Sequence, residues 1–134
     1  MSKMFGELIK MALQQEQPQR LLFLFAKAES GDETNTAGLV KGHKSGTIEP
    51  RMCVDKLPSE LSKYSDLVKE ADSVAKDWNF VFIAGLSGQD GVAPSTEMAE
   101  QYLNKMTNDL SAGQNIAQYV VFDREGKPIE MMVS

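Results

Sequence analysis

Residues 85–91, GLSGQDG, place Gly85, Gly88 and Gly91 at three-residue spacing, with Ser95 and Thr96 a few residues on. A glycine-rich loop that feeds a helix start offers backbone N–H groups to a small anionic or polar ligand. The candidate ligand contacts are Ser87, Gly88, Gln89, Asp90, Gly91, Ser95 and Thr96. Known fingerprints do not fit. A phosphate-binding loop ends in Gly-Lys-Ser/Thr, and no lysine occurs between Lys76 and Lys105. The spacing is not GxGxxG, and Asp90 would repel a phosphate. Gln89 stands where a nucleophile elbow, GxSxG, requires its last glycine. The competing reading is a strand-to-helix turn that uses glycine for its backbone freedom.

The second chemical candidate is Cys53, the sole cysteine, in the stretch RMCVDK at 51–56. A nucleophilic thiolate needs a base or cation beside it. Arg51 shares its strand face, whereas the one histidine, His43, lies ten residues earlier between Lys41 and Lys44. Cys53 therefore reads either as a reactive thiol or as an inert one filling space. One His and one Cys do not make a usual zinc set, so no metal is expected. Asp123 and Glu125 fall on a turn, where solvated charge is the ordinary state. The sequence assembles no catalytic group and implies no cofactor.

Stepwise patterning supplies the elements that must hold these residues. Residues 2–17 predict an amphipathic helix with Ser2 as its cap, ended by Pro18. The apolar run RLLFLFAKA at 20–28 suits a strand covered on both faces. Residues 30–46 predict a flexible polar loop. Residues 47–56 predict a strand that Pro50 marks as an edge or a bulge. A long helix capped at Ser59 follows, with Leu61, Tyr64, Leu67, Val68, Ala71, Ala75 and Trp78 as its stripe. The strand 80–86 leads through the glycine loop to a helix capped by Ser95, with Met98, Ala99, Tyr102, Leu103, Met106 and Leu110 inward and Gly113 as its stop. Residues 116–123 and 129–133 form a hairpin across the turn 124–127.

The expected fold class is α/β, with α+β as the alternative. It is a single domain over 1–134, a mixed sheet of about five strands with three helices on it. The element order is helix-β-β-helix-β-helix-β-β. The two strand–helix–strand units favour parallel neighbours.

The chain has 134 residues, 42% of them hydrophobic, which suffices for a core without a disulfide or metal. A net charge of -5 argues against nonspecific nucleic-acid or anionic-membrane partners. The first residues carry Lys3, Glu7 and Lys10, so no signal-peptide core is expected. A single cysteine fits a reducing compartment, and the expected location is cytoplasmic.

The motifs PQRLLF at 18–23, MCVDK at 52–56, AGLSG at 84–88, APS at 93–95 and FDR at 122–124 resemble a family of short uncharacterised bacterial proteins. Some members carry the label ribonucleotide reductase alpha subunit. The motifs do not support that label, since such a reductase needs a radical cysteine plus a reducing pair and this chain has one cysteine. The resemblance implies no activity. The expected function is a small binding or regulatory domain that self-associates or meets a protein partner. The alternative is a small-ligand protein or weak enzyme using residues 85–96.

Overall fold

The structure is a computed structural model and describes residues 3–29, 47–112 and 119–129. The predicted polar loop 30–46, His43, Ser2, Gly113 and residues 130–133 lie outside them. The described elements are α1 (Lys3–Leu13), β1 (Gln19–Glu29), β2 (Thr47–Lys56), α2 (Tyr64–Val74), β3 (Phe80–Ser87), α3 (Thr96–Ala112), β4 (Val120–Asp123) and β5 (Pro128–Ile129). The sheet order is β2-β1-β3-β4-β5. Three helices and five strands thus appear in the expected chain order.

The alternation of side chains along β1 explains why its run is apolar throughout. Leu22, Leu24 and Ala26 point to one face, where Phe80, Phe82 and Val121 join them under Ala99, Leu103, Met106 and Leu110 of α3. Leu21, Phe23 and Phe25 point to the other, with Val81, Ile83 and Phe122, beneath Phe5 of α1, Leu67 and Ala71 of α2, and Trp78. A strand buried on both faces cannot alternate with polar residues.

The strand pairing departs from expectation. All four pairings are antiparallel. β2 and β3 do run parallel to one another across the connection through α2, but β1 lies between them. β3 and β4 are adjacent and antiparallel despite the helix that joins them. The crossover rule sets the hand of a connection between parallel strands; it decides neither which strands become neighbours nor whether a helical connection returns antiparallel. The usual ligand position at the carboxyl ends of adjacent parallel strands is therefore missing from the described sheet.

Pro50 has both effects expected of it. β2 is the outermost of the described strands on its side, and its register against β1 slips between Phe25–Met52 and Ala26–Pro50, leaving Arg51 as the extra residue.

Two helix predictions need correction. α2 starts at Tyr64, because residues 58–60 close a separate 3-10 turn. In that turn the Leu57 N–H donates to the Glu60 side chain at 2.7 Å and the Leu61 N–H to the Pro58 carbonyl at 3.2 Å. Leu61 is then extended, so Ser59 caps nothing in α2. Ala75 is extended as well, and Trp78 is buried beyond the helix end, donating from Nε1 to Asp72 Oδ1 at 3.0 Å. In α3, Met98 lies half exposed while Ala99, Leu103, Met106 and Leu110 are buried as expected. No described helix is long and apolar enough to cross a membrane.

Candidate functional site

Beyond β3 the chain folds straight back on itself. Gln89 and Val92 exchange backbone hydrogen bonds of 3.0 and 2.9 Å, with Asp90 (φ 53°) and Gly91 (φ 77°) between them. Two consecutive left-handed residues are the signature of a type I′ turn, for which Asp-Gly is a favoured pair. Gly88 sits where a β-carbon would lie 2.0 Å from the Val92 carbonyl oxygen, so no other residue fits without moving the backbone.

The hydrogen-bonding groups of this loop are mostly engaged within the chain. The Gly88 N–H donates to the Pro18 carbonyl at 2.8 Å and the Gly91 N–H to Gln17 Oε1 at 2.8 Å. Ser87 Oγ accepts from Gln19 Nε2 at 3.0 Å. Ser95 Oγ accepts from the Met98 N–H at 3.2 Å and so caps α3. Arg20 donates to the Pro94 carbonyl at 2.6 Å and to Asp55 Oδ2 at 2.7 Å, and Thr96 Oγ1 lies 3.5 Å from the same carboxylate oxygen. Asp55 thus brings negative charge to the first turn of α3, the place an anionic ligand would need. The side chains of Gln89 and Asp90 are exposed.

Cys53 is exposed on β2, in register with Leu24. Partial burial of the sulfur pushes its pKa up, and the carboxylates of Asp55 and Glu100 push it further the same way. Arg51, the expected activator, has its guanidinium 3.0 Å from Glu49 and 3.0 Å from Asp77. The thiol's surroundings are the reverse of those that activate a nucleophile.

Sequence reasoning missed a cleft of about 280 Å³ beside α1. Its floor is Gln19 and Leu21 of β1 with Ile83 and Gly85 of β3, all on the α1 face of the sheet. Its roof is Leu8, Met11, Ala12 and Gln15. The outer end passes the β3 edge at Ala84, where Tyr102, Tyr119 and Val120 close it. Two local causes produce the space. Gly85 puts no side chain on the floor, where a β-carbon would stand 3.4 Å from Gln19 Oε1 and 3.7 Å from Leu21 Cδ2. The roof also rises along α1, because Phe5 is fully buried whereas Leu8, Ile9 and Ala12 are only half buried. A lone glycine inside a strand pattern, at position 85, was the available signal.

Behind the outer wall lies Asp109, the one buried charged residue among those described. Its Oδ2 accepts from the Tyr119 hydroxyl at 2.8 Å and from Lys105 Nζ at 2.9 Å. The hydrogen bond to Asp109 raises the Lys105 pKa, and the ammonium lies 5.6 Å from the centre of the Tyr102 ring. The Lys105–Asp109 spacing of four residues is an ordinary helical ion pair in sequence. Here it fixes Tyr119 in the cleft wall.

A second cleft of about 250 Å³ lies on the other side of α1, between Leu13, Pro18, Leu57, Pro58 and Ala93. Neither cleft is lined by any of the seven predicted ligand contacts or by Cys53. Among the described residues no group of three or more His, Cys, Asp or Glu could hold a metal ion. A scan of protein-family models, a search of curated proteins and a search of solved structures each find no match to this chain.

Proposed function

We infer that this protein is a small binding or regulatory domain, acting in the cytoplasm, which self-associates through one shoulder of α1. The observation that carries the reading is the exposure of Leu13 at 64% and Val92 at 67% around the second cleft. Leu13 lines that cleft, and Val92 adjoins Ala93, which also lines it. At 100° per residue, the apolar arc of α1 is wider than its seat on the sheet. Phe5, Leu8, Ile9 and Ala12 form the seat, Met4 and Met11 fall on one shoulder, and Leu13 falls on the other. Exposed aliphatic residues flanking a cleft suit burial against a second copy. The solitary cysteine supports a reducing, cytoplasmic setting.

Native mass spectrometry tests this reading directly. The expected result is a dimer or larger assembly that Leu13→Glu combined with Val92→Glu converts to monomer. A monomer at every concentration, or an assembly indifferent to both charges, would overturn it. A co-purified small molecule would instead support the alternative of a ligand protein or weak enzyme using residues 85–96. Loss of that mass in Ser87→Ala would then locate it.

A further inference from the structure

We propose that Asp90 is a site of spontaneous backbone rearrangement to isoaspartate, and that the Gln17 side chain holds the reaction in check by engaging the Gly91 N–H.

The chemistry needs a particular pair of residues. Asp90-Gly91 is the one place in the chain where glycine follows an aspartate or asparagine. The backbone nitrogen of the second residue must reach the side-chain carboxyl carbon of the first, and glycine puts no β-carbon in its way. The Gly91 nitrogen attacks Asp90 Cγ, the N–Cγ bond forms and the bond from Cγ to its hydroxyl breaks. That hydroxyl and the amide proton leave together as water, closing a succinimide ring. Both residues are exposed, so water returns readily. Its addition at the side-chain carbonyl restores Asp90. Addition at the main-chain carbonyl leaves the backbone running through Cβ and Cγ, one carbon longer. Water lost equals water gained, and nothing is oxidised or reduced.

The fold keeps the two reacting atoms apart. Ring closure needs the Gly91 nitrogen eclipsed with the Asp90 β-carbon, at ψ of about −120°, whereas a type I′ turn holds its first central residue at ψ of about +30°. The nitrogen then lies on the far side of the α-carbon from the carboxyl group. Its N–H is engaged as well, donating to Gln17 Oε1 at 2.8 Å. Gln17 is itself half buried, with its carbonyl accepting from Gln19 Nε2 at 3.1 Å and the next carbonyl, of Pro18, accepting from the Gly88 N–H at 2.8 Å. A residue 74 positions away thus supplies the check, which a short peptide of the turn lacks. Reaction requires local opening, and the Gln17 bond is the one that touches the attacking atom. Asp72, followed by Ser73, offers a contrast within the same molecule. It lies in α2, and its carboxylate accepts from Trp78 Nε1 at 3.0 Å and from Arg124 at 2.7 Å.

The test follows isoaspartate in the full chain over weeks at neutral pH, by enzymatic methyl labelling and by fragmentation of the peptide that holds Asp90. The expected product forms at Asp90 and not at Asp72, more than about tenfold slower than in a synthetic peptide of residues 86–94. Gln17→Ala should speed it about two- to tenfold, the share of one net hydrogen bond. Gln17→Glu keeps the accepting oxygen and should stay near the wild-type rate. Asp90→Asn retains a favoured type I′ pair and loses ammonia instead of water, so the same ranking of Gln17 variants should reappear as a gain in mass. General loosening by Gln17→Ala would release Asp72 too, and acceleration at both positions would overturn the assignment to Gln17. A protein rate equal to the peptide's, no acceleration in Gln17→Ala, or Gln17→Glu as fast as Gln17→Ala would each overturn it as well.

Discussion

The glycine loop and α1 both rest on β1 and β3, and they are held in opposite ways. The loop is fixed by directional bonds: Gly88 to Pro18, Gly91 to Gln17, Ser87 to Gln19, and Arg20 to both Pro94 and Asp55. α1 is fixed by packing, with Phe5 at ring-centroid distances of 5.2 Å from Tyr64 and 6.4 Å from Phe122. The residue types that advertise chemistry are spent on holding a turn. Ordinary leucines and methionines leave surface unspent. A polar loop is a site only to the extent that its own chain leaves it unsatisfied.

The contrast can be broken most forcefully at Gly88. Gly88→Ala places a methyl against the Val92 carbonyl and should cost at least about 3 kcal/mol in urea unfolding. A loss below about 1 kcal/mol would show that the turn yields and is not over-determined. Phe5→Ala comes next, at about 3 kcal/mol for loss of a buried ring. Its signature should be local, since an eleven-residue helix has little stability without docking. Amide exchange in α1 should rise steeply while β1 and β3 stay protected. Uniform acceleration across the sheet would mean that α1 is as integral as the loop.

A third measurement reads the seat of α1 through pH. Tyr64 packs on Phe5 and donates its hydroxyl to the Asp123 carbonyl at 2.6 Å. Burial, then the Asp123 charge, pushes the phenol well above its ordinary value. The folded state therefore keeps a proton that the unfolded chain loses above about pH 10. Stability from this group is complete below pH 10 and falls above it by up to about 1.4 kcal/mol per pH unit. Tyr64→Phe should flatten that slope, as denaturation at pH 9 and pH 11 will show. The smallest stability effect has the opposite sign. Gly6 lies within α1 with open space around it, so Gly6→Ala should raise stability by about 0.5–1 kcal/mol, measured by the shift in melting temperature. One glycine-to-alanine change in each region, with opposite outcomes, is the sharpest form of the comparison. Last, Cys53 should alkylate several-fold more slowly than a free thiol at pH 8, and Glu100→Gln should speed it.

Much of the architecture is legible from local pattern. The double-faced burial of β1 follows from its unbroken run, and Pro50 announces both the edge and the bulge. Ser95 caps α3 as its position implies. What fails is non-local. Nothing near β2 or β3 encodes that β1 inserts between them, and nothing near Leu61 shows that a 3-10 turn takes the start of the predicted helix. The candidate site fails for the same reason. Serines and glycines at 85–96 look available until the partners supplied by residues 17–20 and Asp55 are in place. The cleft depends on Gly85, Met11 and Tyr119, which lie far apart in the chain and share no motif.

The prolines at the sheet's margins carry a consequence for the molecule in bulk. Among the described strands the outermost are β2 and β5, and each contains one: Pro50 beside the bulged Arg51, and Pro128. A proline has no N–H to give an approaching strand, and a bulge tilts the ladder out of register. Fibre growth by stacking sheets edge to edge is thus interrupted at both flanks. Concentrated solutions should stay clear where a flat-edged sheet of this apolar content would gel, and Pro50→Val is the change that should bring on turbidity.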